Sequence, residues 1–377
     1  METQIKYEYS NPFTLTTQLK SWMALNLNFG CVWDCAYCIQ HKDEFFSNSN
    51  YQKINNMFEP EEVVSEIMAN PRITSRTPLT LYNFSDPFLP QNTTGLRKIL
   101  RELDKREFTN PVGLITRTFV DGDTLDNIAD LTSLRPVIIV SYAGYENRKL
   151  EGAPLKRRVQ LMKEVKKRRI PLLQYLRPIA REWLEPDQFK KARDAVAEHI
   201  DGVVMSGVRL TPEVIKRIEE RGLAVPYVPN HLNKFFPKEI QEEILEVYRG
   251  IAPVYRYTSC GISSTLRIPD YNAHLNFLEE TQNRRFDECP LPCRLGQSRI
   301  CKDRCKIDEK TMHDLLDRIG LEDINFEINE SGAIYLGREV SKQDLSFLRH
   351  NTSSHVDYIG NRHYIDRIAN MDVKSQK

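Results

Sequence analysis

VIIVSYAGYENRKLEGAPLKRRVQLMKEVKKRRIPLLQYL, residues 137–176, is the stretch that decides the fold. Its ends, 137–142 (VIIVSY) and 172–176 (LLQYL), are short apolar runs of strand length. Between them, 154–169 carries apolar residues at helical spacing and opens on Pro154, a residue suited to a first helical turn. Strand, helix and strand in this order imply parallel neighbours joined by a crossover. The same rhythm continues outward. Strands are predicted at 79–84 (LTLYNF), 112–116 (VGLIT) and 203–208 (VVMSGV), and helices at 95–106, 124–134, 186–199 and 211–222. Asp123, Pro186 and Thr211 with Pro212 mark helix starts, and Gly222 closes the last helix. Upstream, 23–28 (MALNLN) reads as a first strand and 59–70 (EPEEVVSEIMAN) as the helix after it.

Six βα units are visible. No G-x-G-x-x-G follows the first strand and no G-x-x-x-x-G-K-[ST] occurs, so a nucleotide-binding open sheet lacks its usual support. A complete eight-unit barrel takes about 250 residues. The expected fold class is therefore α/β, a partial (β/α)6 barrel over 20–225, after a short N-terminal segment (1–19). The remainder, 226–377, reads as a C-terminal domain with a Cys-rich metal-binding extension and a small β hairpin. It opens on an amphipathic helix at 237–248 (PKEIQEEILEVY) and a short strand at 253–258 (PVYRYT). The hairpin is predicted at 324–336 (INFEINESGAIYL), where apolar residues alternate around Asn329, Ser331 and Gly332.

The 377 residues are 40% hydrophobic and 28% charged, which excludes collagen-like and largely disordered chains. With 53 Lys+Arg against 52 Asp+Glu, bulk electrostatic coating of nucleic acid or membrane is also excluded, although a local basic groove is not. The first ten residues hold no signal-peptide core, and no apolar run approaches the ~18 residues of a membrane span. A cytoplasmic protein without membrane contact is expected. In that compartment grouped cysteines point to metal or catalysis rather than to disulfides.

The eight cysteines are grouped: 31, 35 and 38, then 260 alone, then 289, 293, 301 and 305. In 27–40 (LNFGCVWDCAYCIQ), Cys31, Cys35 and Cys38 form C-x3-C-x2-C on the loop after the first strand, the end at which barrels carry their sites. Three thiolates so placed can hold three irons of a [4Fe–4S] cluster and leave the fourth open. Zinc in a structural site wants four ligands, and only His41 is close in sequence as a fourth.

This spacing, with the aromatic Tyr37 before the last cysteine, resembles the radical S-adenosylmethionine superfamily. The resemblance implies a [4Fe–4S] cluster that binds S-adenosylmethionine and, once reduced, cleaves it to a 5′-deoxyadenosyl radical for hydrogen abstraction. The run Asn83-Phe84-Ser85-Asp86-Pro87-Phe88 departs from the superfamily's common Gly-Gly-Glu and is closer to the Thr-Asp-Pro of its spore-photoproduct-lyase-like branch. An ordinary Asp-Pro turn ending the strand is the lesser alternative reading of these residues. Glu151, Pro154 and the pair Arg157 and Arg158 resemble the same branch. The resemblance makes Tyr37, Ser85, Asp86, Ser141, Glu151 and Arg158 candidate contacts of S-adenosylmethionine, while the arginines read equally as a solvated helix face. Gln174, Arg177 and Pro178 end the fifth strand, where ligand-facing groups are expected. The lyase itself does not fit, since no cysteine lies between Cys38 and Cys260 to return a hydrogen atom. Cys260 is either such a donor, an extra ligand, or a small buried side chain.

Cys289, Cys293, Cys301 and Cys305 form C-x3-C-x7-C-x3-C, the ligand count of a second iron–sulfur cluster or of an all-cysteine zinc site. The basic residues around them, among them Arg284, Arg285, Arg294, Arg299, Lys302, Arg304 and Lys306, alternate with acidic ones and define no nucleic-acid surface. His350, His355, Tyr358 and His363 form a looser group. The expectation is a radical S-adenosylmethionine enzyme fed by a reductant such as flavodoxin or ferredoxin and acting on a nucleotide, a nucleic-acid base or a small molecule. The competing class is a non-catalytic metal-binding or interaction protein with structural cysteines.

Overall fold

β-branched and aliphatic runs, apolar on both faces, build one eight-stranded sheet, and the computed structural model describes it within residues 16–18, 22–42, 53–227, 234, 236–274, 296–302 and 307–360. In chain order the elements begin with β1 (Thr16–Gln18), β2 (Met23–Leu25), β3 (Asn28–Phe29), β4 (Asn55–Asn56), α1 (Pro60–Ala69) and β5 (Leu79–Leu81). There follow α2 (Pro90–Lys105), β6 (Pro111–Thr116), α3 (Gly122–Ala129), β7 (Arg135–Ser141), α4 (Leu155–Lys167) and β8 (Leu172–Ile179). The barrel ends with α5 (Gln188–Asp194), β9 (Gly202–Gly207), α6 (Pro212–Glu220), α7 (Lys238–Val247), β10 (Val254–Tyr255) and α8 (Thr258–Leu266). The remaining elements are α9 (Ser298–Lys302), α10 (Glu309–Arg318), β11 (Phe326–Ile328), β12 (Ile334–Leu336), α11 (Lys342–Thr352) and β13 (Val356–Tyr358).

The sheet order is β1-β2-β5-β6-β7-β8-β9-β10, and every pair is parallel except the β1–β2 edge. Among the described residues its two edges do not pair with each other, so it is a partial barrel, as the six βα units imply. β10 adds a short seventh parallel strand, so the sheet takes in residues beyond 225. Helix starts follow local chemistry: the Asp121 carboxylate accepts from Thr124 N, and Thr211 Oγ1 accepts from Val214 N. The first of these replaces the expected Asp123. α2 begins at Pro90, earlier than the expected 95, because a proline at a first turn has no donor to lose.

Alternate residues of the strands enter two cores. Ile138, Val140, Leu172, Leu176, Val203 and Met205 pack beneath the outer helices. Val137, Ile139, Leu173, Tyr175 and Val204 face inward against Cys260, Ile262 and Tyr271. The inner face is covered by α8, which packs on β6, β7, β9 and β10. This close approach needs Gly261, where a Cβ would stand 2.7 Å from Val204 Cγ2. The strand expected at 253–258 is thus only Val254–Tyr255, and the chain turns helical at Thr258 to fill the barrel.

The hairpin forms as β11 and β12, with Ile328 opposite Ile334. β13 joins it in parallel, and α10 and α11 complete a separate core of Met312, Leu316, Ile334, Phe347, Leu348 and Val356. Arg72 ties this unit to the barrel by donating to Asp344 Oδ1 at 2.9 Å through Nε and 2.7 Å through Nη2. No helix among the described residues is long and apolar enough to cross a membrane.

Candidate functional site

The sharp loop after β3 begins at Gly30, whose φ of 103° suits glycine, and Gly30 N donates to Phe84 O at 3.1 Å. The cysteine segment is then pinned from three sides. Ala36 N donates to Leu150 O at 3.0 Å, and Trp33 Nε1 donates to Thr118 Oγ1 at 2.7 Å. Asp34 takes Arg221 Nη2 at 2.7 Å and also pairs with Arg217, so α6 grips the loop. Gly152 lets the loop lie flat against the segment after β7, because a Cβ there would meet Trp33 O at 2.4 Å.

Cys31, Cys35 and Cys38 all line one cavity of about 290 Å³ at the carboxyl ends of the strands. Burial pushes the Cys31 thiol well above its usual range, and the carboxylate of Asp86 adds to this. Burial likewise raises Cys35 to about 11, partly offset by the Arg117 guanidinium. The metal-free thiols of Cys31 and Cys35 are therefore protonated at neutral pH, and a metal that binds them displaces their protons. Three thiols lining one cavity have the ligand count of a [4Fe–4S] cluster held by three cysteines, and Cys31, Cys35 and Cys38 would hold it.

Of the other expected contacts, Tyr37, Ser85 and Asp86 line the same cavity. Ser85 Oγ donates to Gly30 O at 2.6 Å and accepts from Asn92 Nδ2 at 3.0 Å. Asp86 accepts from Phe88 N at 2.9 Å, Thr116 Oγ1 at 2.7 Å and Arg117 N at 2.7 Å. Burial nevertheless raises its carboxyl above the usual range. Asp86 thus closes the turn after β5, as an Asp-Pro turn would, while facing the cavity.

Ser141, Glu151 and Arg158 do not line the cavity; they form a layer behind Tyr37. The Tyr37 hydroxyl donates to Glu151 Oε1 and accepts from Arg117 Nη2 at 2.9 Å. Glu151 Oε2 pairs with Arg158 Nη1 at 2.7 Å, both side chains being fully buried. Arg158 also donates to Ser141 O at 2.8 Å and Ala153 O at 3.0 Å. Arg157 stays on the helix surface, its guanidinium 5.2 Å from the Phe119 ring.

Sequence reasoning missed most of the cavity's cationic wall. Arg117 follows β6, Arg209 follows β9, and Lys234 comes from the segment before α7; all three line the cavity with the expected Arg177. Gln174 turns the other way, its Nε2 donating to Tyr142 O at 3.0 Å, as strand alternation from Tyr175 and Arg177 requires. Tyr175 stands among these cations, with the Arg177 guanidinium 5.5 Å from its ring centre. Burial would raise its phenol, but Lys234 and Arg177, with hydrogen bonds from Thr258 and Ser206, outweigh it and hold the group at about 7. Lys234 is drawn upward by Tyr175, yet burial and Arg177, Arg209 and Arg256 leave it below the usual lysine range.

An ultraviolet pH titration is therefore expected to show one tyrosine ionising near pH 7, absent in Tyr175→Phe. The folded value lies below the unfolded value of about 10, so this group's stabilisation is complete above pH ~10 and is lost as pH falls through about 7. Identical titrations of the two proteins between pH 6 and 8 would refute the assignment.

Cys260 does not line the cavity; it is 6% exposed in the inner core. Of the second cysteine group, Cys289, Cys293 and Cys305 lie outside the described residues, as does His363. Cys301 is buried and accepts from Asp270 N at 3.3 Å. His350 and His355 are buried in the C-terminal unit, their rings edge-on to Tyr271 and Tyr335.

No protein-family model matches this chain, and no curated protein matches its sequence. Among solved structures, a spore photoproduct lyase mutant with bound AdoMet and dinucleoside spore photoproduct aligns with a TM-score of 0.50 at 14% identity, over 64% of this chain and 78% of that chain. SuiB of Streptococcus suis bound to S-adenosylmethionine aligns with a TM-score of 0.43 at 11% identity, over 64% of this chain and 51% of that chain. Over the aligned part, the chain shares the fold of spore photoproduct lyase, the fold that its motifs led one to expect.

Proposed function

We propose that this protein is a radical S-adenosylmethionine enzyme of the cytoplasm. The observation that carries the reading is the convergence of Cys31, Cys35 and Cys38 on one cavity at the carboxyl ends of parallel strands. These thiolates would hold a [4Fe–4S] cluster, which supplies one-electron cleavage of S-adenosylmethionine to a 5′-deoxyadenosyl radical. Ser85 and Asp86 offer oxygens to the ammonium group of S-adenosylmethionine, and the cationic wall suits its carboxylate. Tyr37 is fixed by Glu151 and Arg117 beside the cysteines, and the inner core under α8 keeps water from the cavity floor.

The substrate is a nucleotide, a nucleic-acid base or another small molecule, and the electron donor is a protein such as flavodoxin or ferredoxin. Cys289, Cys293, Cys301 and Cys305 would carry a second iron–sulfur cluster or zinc. Residues 20–225 together with β10 and α8 form the catalytic barrel, and the chain after α8 a metal-bearing C-terminal domain. Anaerobic reconstitution tests the reading. About four irons and four sulfides are expected at the Cys31 site, with 5′-deoxyadenosine released on reduction. A reconstituted protein that binds metal but leaves S-adenosylmethionine intact would instead favour the non-catalytic metal-binding reading.

A further inference from the structure

Cys260, the cysteine that belongs to neither group, meets two other metal-binding side chains. One donor atom each from Cys260, Asp270 and His274 lie within 4.8 Å of one another. His274 Nδ1 is 2.7 Å from Asp270 Oδ2, 3.8 Å from Cys260 Sγ and 3.3 Å from Ser259 Oγ. We propose that Cys260, Asp270 and His274 bind a zinc ion, with water or the Ser259 hydroxyl in the fourth position.

The donor set is the first argument. A thiolate, an imidazole and a carboxylate suit zinc, which takes tetrahedral sulfur, nitrogen and oxygen ligands. The second is the direction of approach. In a Cys–His–Asp proton relay the thiol and the carboxylate use different ring nitrogens. Here both face Nδ1, so the arrangement is not such a relay. A cation shared by all of them satisfies the convergence.

The third argument is preorganisation. The His274 ring stacks on Tyr257 at 3.8 Å between ring centres and 8° between planes. His274 N donates to Asp270 Oδ2 at 2.9 Å, which orients the carboxylate toward the ring. With metal bonds of 2.0–2.1 Å, the Nδ1–Oδ2 separation needs only to widen to about 3.3 Å. Binding releases the thiol proton and any proton on Nδ1, and involves no redox step. The ion would fasten α8, whose first residue Thr258 lines the candidate active site, to the segment leading toward the second cysteine group. Cys301 of that group accepts from the Asp270 amide, so this one thiol lies beside the proposed site without being one of its donors.

The test uses the full chain carrying Cys289→Ser and Cys293→Ser, which disables the all-cysteine site, with iron loaded at the Cys31 loop. One zinc per chain is expected, and its X-ray absorption should report one sulfur and three nitrogen or oxygen neighbours. Cys260→Ser should remove the sulfur neighbour, and His274→Gln should weaken zinc binding by more than the roughly tenfold that loss of an outer-shell partner costs. Melting temperature and iron content report whether each variant folds. If Cys260→Ser fails to fold, the shell measured in the parent chain decides. Absence of zinc from the parent chain, a shell of three or four sulfurs, or zinc unaffected by both variants overturns the proposal.

Discussion

If the proposed function holds, replacing Cys31, Cys35 and Cys38 together by Ala is expected to remove the iron of the proposed cluster and reduce 5′-deoxyadenosine release to that of buffer without protein. Three thiolates supply every protein ligand of such a cluster, and no other thiol lines the cavity among the described residues. The fold should survive the change. The loop is held by the Asp34 pairing with Arg217 and Arg221, by Trp33 on Thr118 and by the Ala36–Leu150 backbone bond, none of which uses sulfur. A circular-dichroism melt near that of the parent chain, beside a complete loss of cleavage, is therefore the expected pair of results. A triple variant that still releases 5′-deoxyadenosine would sink the proposed function.

The barrel was legible because its pattern is local. Strands such as 137–142 are apolar on both faces, as strands buried on both sides must be, and helices such as 154–169 repeat at 3.6 residues. α8 escaped detection for the same reason that it fills the barrel. Its sequence TSCGISSTL is small and nearly uniform, and Ser259, Cys260, Gly261, Ile262 and Ser263 are all buried, so no polar face marks a helical period. β13 was equally invisible, because pairing Val356 with Ile334 joins residues far apart in sequence.

The site divides along the same line. Cys31, Cys35 and Cys38 are neighbours in the chain, so their spacing alone brought them forward. Arg117, Arg209 and Lys234 are single basic residues on three separate segments, and only strand order makes them one wall. Arg117 carried a faint positional signal, directly after the strand 112–116 at its carboxyl end. Glu151 and Arg158 were singled out for a ligand contact, but a glutamate and an arginine seven residues apart cannot reveal from sequence that they face each other. Their full burial as a pair is a tertiary fact.

That pair carries the second large expectation. Arg158→Met should destabilise the fold by about 3–5 kcal/mol, the cost of leaving a buried charge without its partner. Among the described residues, Glu151 would keep the Tyr37 hydroxyl and Arg117, whose Nε is 3.7 Å away. Ser141 O and Ala153 O would also lose the guanidinium donors that now reach them at 2.8 and 3.0 Å. Adding Glu151→Gln to Arg158→Met should recover part of the loss, because the uncompensated carboxylate is then gone and two contacting residues do not act additively. Urea unfolding at neutral pH of the parent, the two single variants and the double variant measures each side of this cycle. An arginine that instead bound the S-adenosylmethionine carboxylate directly would behave otherwise. Arg158→Met would then raise the KM for S-adenosylmethionine and leave the unfolding midpoint within about 1 kcal/mol of the parent, and that outcome would remove Arg158 from its place behind Tyr37.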